Sequence, residues 1–268
     1  MNRQFLEKLE KLTSKYPKVI DLSLIRINKL LDKLDNPHLK LPPIIHVAGT
    51  NGKGSTIAFL FNSLKCAGKK VHVYTSPHLI EVTERFIIAG KKISYDKLFS
   101  ALKYCEKANA GEHITQFELL TCIGFLLMSK TKADVALIET GLGGRLDATN
   151  VIQNPILTII TSISMDHSDF LGSKLSSIAK EKAGIIKNGI TCISAPQSNE
   201  VKKVLVNKCK EKKAKLIICN EKSFFSIKKD GLEIHIPGSK NYFFSKPSLE
   251  GPHQLINAVL AVTALLYL

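Results

Sequence analysis

The sequence contains no Cys-x-x-Cys pair, no apolar run of the roughly 20 residues that a membrane-crossing helix needs, and few acidic residues. Its cysteines, Cys66, Cys105, Cys122, Cys192, Cys209 and Cys219, are scattered, and several fall inside apolar runs. That spacing argues against zinc and against a disulfide framework, and leaves the thiols as small hydrophobes. The longest apolar stretch, residues 255–268, is too short to span a bilayer. Residues 1–15 alternate charged and apolar like an amphipathic helix, without the apolar core of a secretory signal. The expectation is a cytoplasmic protein with no membrane partner.

The shortage of acids, 23 Asp and Glu against 38 Lys and Arg, gives a formal charge of +15. Such a surface suits nucleic acid, an acidic membrane or small polyanions. The lysines are widely spread, and clusters such as Lys202-Lys203 and residues 208–215 fit the wet face of a helix. With no RNA-stacking motif and no zinc finger, nucleic acid is not expected as a partner.

What is present is an α/β rhythm. Apolar runs near residues 43–48, 71–75, 134–139, 156–162, 190–195 and 215–219 read as buried strands. Helical stretches lie near 2–15, 22–34, 53–67, 94–109, 115–130, 173–183 and 199–212. Residues 85–94, with Ala89-Gly90 between two short runs, read as an edge hairpin. The expected fold is a P-loop-type doubly wound α/β domain, a mostly parallel sheet with helices on both faces. It divides into N-terminal helices (1–40), an α/β core (41–220), a small antiparallel appendage (221–250) and a final helix (252–268). Ending on apolar residues, that helix either packs fully on the sheet or leads toward a further domain.

The first strand runs into Gly49-Thr50-Asn51-Gly52-Lys53-Gly54-Ser55-Thr56. A strand that breaks into glycines and feeds a helix offers backbone N–H groups, a helix dipole and an ammonium to one anion, a nucleotide triphosphate being the expected occupant. The general P-loop pattern wants Gly at position 47 and Ser or Thr at 54, where Val47 and Gly54 stand. The plain alternative is a Gly-rich turn with a solvated lysine. If MgATP binds, the hydroxyl that Gly54 lacks must come from Ser55 or another loop, and Ser76, in Thr75-Ser76-Pro77-His78-Leu79 after the second strand, is placed for this.

Glu139 ends an apolar strand and leads into Gly141-Leu142-Gly143-Gly144-Arg145-Leu146-Asp147-Ala148-Thr149-Asn150. A carboxylate at a strand's carboxyl end beside a phosphate loop can hold Mg²⁺ directly or through water. A surface loop acid is the alternative. His167, in Asp166-His167-Ser168-Asp169, offers a metal ligand or a ligand orienter, although a histidine at a strand end is more often structural. Lys182, taken alone, is one more helix-terminal lysine.

Read together, Gly49-Thr50-Asn51-Gly52-Lys53-Gly54-Ser55, Thr75-Ser76-Pro77-His78-Leu79, the Glu139 to Asn150 string, Asp166-His167, Glu181-Lys182-Ala183-Gly184 and His253-Gln254-x-x-Asn257-Ala258 resemble the folylpolyglutamate synthase/dihydrofolate synthase family of the Mur ligase superfamily. The resemblance implies an ATP- and Mg²⁺-dependent amide ligase that joins L-glutamate to dihydropteroate or a reduced folate through an acyl phosphate. It implies that Thr50, Asn51, Gly52, Lys53, Gly54, Ser55 and Asn257 bind ATP. Ser76 and Glu139 would hold one Mg²⁺, and His167 a second, aided by Lys182, which is carbamoylated in that family. Lys53, Glu139, His167 and Lys182 would form the catalytic set. Asp21, Leu22, Thr115, Gln116, Phe117, Glu118, Leu146, Asp147 and Ala148 match positions that line the pteroate pocket. Ser23 and Gln116 depart from the family's usual glycine and aromatic, which bears on substrate choice more than on ATP chemistry. Family enzymes carry a C-terminal domain after the Asn257 helix, which these 268 residues do not contain. The expectations are therefore a ligase impaired by truncation, a separately encoded C-terminal domain as partner, or a non-catalytic nucleotide- or folate-binding remnant.

Overall fold

The computed structural model describes residues 22–166, 168–220, 225–228, 230–235, 240–247 and 249–268. The expected helix at 2–15, together with Asp21 and His167, lies outside them. The first described helix, α1 (Ile25–Lys33), precedes β1 (Ile44–Ala48), α2 (Lys53–Cys66) and β2 (Val71–Tyr74). An edge hairpin, β3 (Phe86–Ile88) and β4 (Lys91–Lys92), is followed by α3 (Tyr95–Asn109), α4 (Gln116–Ser129) and β5 (Val135–Glu139). Then come β6 (Leu157–Ile160), the short α5 (Ser168–Leu171), α6 (Leu175–Lys182), β7 (Cys192–Ser194), α7 (Asn199–Glu211) and β8 (Leu216–Ile218). A separate antiparallel sheet of β9 (Phe225–Lys228), β10 (Gly231–Ile234) and β11 (Tyr242–Ser245) leads to α8 (Pro252–Tyr267).

The main sheet has the order β4-β3-β2-β5-β1-β6-β7-β8. Six neighbouring strands, β2 to β8, pair in parallel, and the hairpin extends one edge in antiparallel fashion. From β1 the chain runs first toward β2 and later toward β6, β7 and β8, so β1 sits at the point where the winding reverses. Ligands of open α/β sheets bind beyond the carboxyl ends of the strands at such a point.

Alternation along the strands decides which helices cover which face. Ile45, Val47, Leu137 and Ile159 enter one apolar cluster with Ile57 and Leu60 of α2 and Val259, Leu260 and Ala264 of α8. Ala136, Ile138 and Tyr74 face the other side, against α1, α3 and α4. Toward β7 that second face is covered by α6 and α7 through Ile178, Val201 and Leu205. Both faces are dry, which explains the uninterrupted apolar strands. Phe225, Leu232 and Ile234 bury into the same cluster as α8, so the small sheet shares the main core. The final helix also lies on that core, and Tyr267 closes its end with a 2.6 Å hydrogen bond to Thr191 Oγ1.

Helix α4 is apolar on nearly every face because α1, α3 and the sheet surround it. It needs a strong start signal, and the chain supplies one. Thr115 Oγ1 accepts from the Glu118 N–H, and Glu118 Oε2 accepts from the Thr115 N–H at 2.8 Å, a reciprocal capping box. The same carboxylate receives Arg26 Nε from α1 at 3.1 Å, tying two helices together. Thr115→Ala should lower unfolding free energy by about 1 kcal/mol. Glu118→Ala should cost more, because it also strands the half-buried guanidinium. Urea midpoints of the two variants, at unchanged denaturant slope, give this ordering.

Candidate functional site

Beyond the carboxyl end of β1 the backbone turns through Gly49-Thr50-Asn51-Gly52 into α2. Gly52 caps the helix at φ 87° and offers no side-chain cap, so the first N–H groups of α2 remain open to an anion. Only glycine fits there. A Cβ on Gly52 would lie 2.2 Å from Asn257 Oδ1, so the final helix presses its asparagine against the turn. Asn257 Nδ2 is fixed in turn by Gln254 Oε1 at 3.0 Å. On the other side the loop is tied to the segment leaving β6. Thr50 N–H donates to Ser162 O at 2.8 Å, Thr50 Oγ1 to Ser164 O at 3.1 Å, and Asn51 bridges Ser162.

Two lysines from distant parts of the chain converge on one carbonyl. Lys53 Nζ donates to Gly49 O and Thr50 O, each at 3.2 Å, and Lys182 Nζ donates to Gly49 O at 2.9 Å. Glu139, at the last position of β5, faces Lys53, whose Nζ lies 3.9 Å from Oε1. Its Oε2 accepts the Ser76 N–H at 3.4 Å, and a Cβ on Gly54 would lie 3.8 Å from the same oxygen. The carboxylate therefore lies alongside the start of α2. Burial raises the Glu139 carboxyl to about 7, against the opposing pull of Lys53 and the Ser76 N–H. Burial also lowers Lys182 to about 8, helped by repulsion from Lys53 and opposed by Asp166 and Asp147.

Ser76 Oγ is buried and has no hydrogen-bond partner among the described residues. An orphan hydroxyl beside a buried carboxylate is a donor set of hard oxygens, which fits a magnesium ion. No cluster of three His, Cys, Asp or Glu side chains occurs among the described residues, so the protein supplies few ligands here. Mg²⁺ characteristically keeps waters and phosphate oxygens in its shell, and a sparse protein set suits it. Ser55 is half-buried beside Gly54 at the start of α2.

The 141–150 loop is stitched down rather than free. Arg145 N–H donates to Glu181 O at 2.8 Å, and the Arg145 guanidinium meets the Glu181 carboxylate at 3.0 Å. Asn150 Nδ2 donates to Arg145 O at 2.9 Å. Asp147 is buried, and its oxygens accept from Leu142 N, Thr149 N and Thr149 Oγ1 at 2.7, 2.9 and 2.6 Å. Because the Thr149 hydroxyl gives its proton to Asp147, the 2.8 Å contact with His46 requires His46 Nε2 to be the donor. His46 is thus a neutral imidazole inside β1, held far below its ordinary value, at about 3, by burial and Lys187.

Of the expected pteroate-pocket residues, Phe117 packs its ring over Gly141, where a Cβ would come within 2.4 Å, and stands 6.3 Å from the Tyr74 ring. Thr115 and Glu118 are nearly buried and occupied by the capping box; Gln116 opens the same helix and is half-buried. Ala148 is buried, Leu146 partly so, and Leu22 packs with Leu142 on the cluster under α6. The sequence reading did not select His46, Thr149 or Arg85. Arg85 contacts His78 Nδ1 through Nε at 2.9 Å and exerts its charge on Glu139. His46 carried a signal nonetheless, since a polar ring in a wholly buried strand must find a partner.

Comparison with known proteins gives the family and the fold. Residues 47–265 match the model of the Mur ligase middle domain. A folylpolyglutamate synthase from Arabidopsis thaliana is 38% identical over 88% of this chain and 39% of its own length. The dihydrofolate synthetase of Saccharomyces cerevisiae is 37% identical over 93% of this chain and 58% of its own. Among solved structures, Escherichia coli FolC in complex with DHPP and ADP superposes with a TM-score of 0.87 at 31% identity, covering 97% of this chain and 61% of that one. The Mycobacterium tuberculosis folylpolyglutamate synthase complexed with ADP gives 0.86 at 34% identity, with the same coverage. The chain spans between 39% and 58% of the length of those two curated relatives. With most of its length matched and its phosphate-type loop intact, the chain belongs to the Mur ligase middle-domain family.

Proposed function

We propose that this chain carries the nucleotide- and metal-holding part of an ATP-dependent amide ligase, one that joins L-glutamate to dihydropteroate, to a reduced folate monoglutamate, or to both. The observation that carries the reading is the convergence of Lys53 and Lys182 on Gly49 O, facing Glu139 and the orphan Ser76 hydroxyl. The names of the relatives supply the substrates.

A carboxylate is a poor electrophile and must be activated. In the proposed reaction an acceptor carboxylate oxygen attacks the γ-phosphorus of ATP, and the bond to the bridging oxygen breaks to release ADP. The α-amine of glutamate then attacks the acyl carbon, loses a proton, and inorganic phosphate leaves. Open N–H groups at the start of α2 and the Lys53 ammonium neutralise the charge that develops on the transferring phosphoryl group. Mg²⁺, held by Ser76 and Glu139, would add Lewis-acid charge at the same phosphate oxygens. Asn257 and Gly52 fix the shape of the turn, and Thr50 and Asn51 anchor it to the β6 exit. Lys182 would be carbamoylated and would assist His167 at a second Mg²⁺. Leu22, Phe117 and the 146–148 segment form the proposed pteroate wall.

The test is glutamate-dependent ADP release by the purified chain with MgATP, comparing dihydropteroate and tetrahydrofolate. Turnover, if present, should fall on the order of 100-fold in Lys53→Ala, as for loss of a single electrostatic donor. Absence of turnover, with nucleotide binding retained and lost in Lys53→Ala, would mean a nucleotide-binding domain and sink the claim of activity by this chain alone. Glu139→Gln should bind ATP with a weakened dependence on Mg²⁺, read by calorimetry across a Mg²⁺ series. Lys182 must be neutral to take up carbon dioxide. Its value near 8 leaves mostly ammonium at pH 7 and mostly amine at pH 9. A ¹³C-bicarbonate carbamate signal should therefore grow over that range and vanish in Lys182→Met.

A further inference from the structure

Beside the segments that enter β6 and β7 lies a cavity of about 460 Å³ whose lining includes no residue of the phosphate-type loop. Its charged lining is Arg145, Lys180, Lys187, Lys208 and Lys212, with no carboxylate among the lining residues. Asn154 and Asn188 add amides at the rim. Helix dipoles account for Lys208 and Lys212 near the end of α7 and for Lys180 near the end of α6, one at a time. They do not account for the convergence of these three with Lys187 and Arg145 on one hollow.

The nearby acids leave an excess of positive charge. Glu211 pairs with Lys208 at 2.8 Å and Lys212 at 3.5 Å, and Glu181 engages Arg145. Five cations less these two carboxylates leave three positive charges around the cavity. Lys187 makes a long 3.5 Å bond to Asn150 O, and burial with repulsion from Lys212 and Lys208 pushes it down to about 8. A multivalent anion would relieve that repulsion. The one guanidinium, the group shaped for bidentate carboxylate, is already committed to Glu181. What remains free is lysine, a point charge that serves phosphate oxygens from any direction.

We propose that this cavity is an anion site for a small oligophosphate, distinct from the site of the proposed ligase reaction. Arg145 and Lys180 flank Glu181 and Lys182, so an anion here sits on the same helix end that donates to Gly49 O.

The probe is sodium tripolyphosphate, titrated into the isotopically labelled full chain while backbone amide shifts are followed, with inorganic phosphate and a triglutamate peptide in parallel. Saturable shifts are expected at Asn154, Lys187, Asn188 and Lys208, persisting in Lys53→Ala, which removes the loop lysine. The double variant Lys187→Gln/Lys212→Gln should weaken that response at least on the order of tenfold, as expected for loss of charged hydrogen bonds. The exposed single variant Lys180→Gln should weaken it with unchanged thermal melting. Shifts confined to residues 49–56 would overturn the site, and would still leave the ligase reading intact. Equal affinity for triglutamate would overturn the assignment to phosphate, and a non-saturating response scattered over surface lysines would reduce it to general charge attraction. Failure of MgATP to bind at residues 49–56, with the cavity response present, would count against the ligase reading alone.

Discussion

The backbone carbonyl of Gly49 is the point on which the site depends. Two ammonium groups, one from the first turn of α2 and one from the last turn of α6, share it at 3.2 and 2.9 Å. Like charges at such range repel strongly in a dry environment; Glu139 offsets Lys53, and Asp166 and Asp147 act on Lys182. The arrangement holds because β1, β5 and α6 deliver these residues to one rim, and because the loop is tied to Ser162 and Ser164 beyond β6. A polyanion entering the rim completes a charge pattern the fold has already set.

That packing draws on both faces of the sheet. The helix bearing Lys182 belongs to the cluster on one face, while α2 and α8 belong to the other. The 141–150 loop is bound to the end of α6 through Arg145 and to β1 through Asp147, Thr149 and His46. His46 thus links the interior of the central strand to the loop by a chain of oriented hydrogen bonds. The small three-stranded sheet closes the face covered by α8 and adds core there.

Much of this was legible in the sequence. Uninterrupted apolar runs give the strands to within one or two residues, since strands buried on both faces admit few polar side chains. Glu139 at the end of such a run, and the glycines before Lys53, mark the rim. The edge hairpin and the antiparallel appendage also stand where Ala89-Gly90 and the change of pattern after residue 220 place them. What could not be read is pairwise. Nothing local in Lys182 says that it reaches Gly49. Nor does the string Thr115 to Glu118 disclose that its acid also holds Arg26. Ser76 reads as a hydroxyl in a loop, and only three-dimensional burial makes it an orphan. Charges that converge from α6, α7 and the strand entries look like separate wet faces along the chain, and become one basin only after folding.

The contact between Gly52 and Asn257 also has a bearing on how the molecule is made. The turn after β1 leaves a ribosome well before α8, the helix that supplies its outer wall. β1 likewise waits for β5 and β6 before either of its edges is paired. Contacts so far apart in sequence make closure slow, and a nascent chain halted before residue 257 would hold a glycine loop without its retaining side chain. Ordering of the rim is therefore coupled to the arrival of α8.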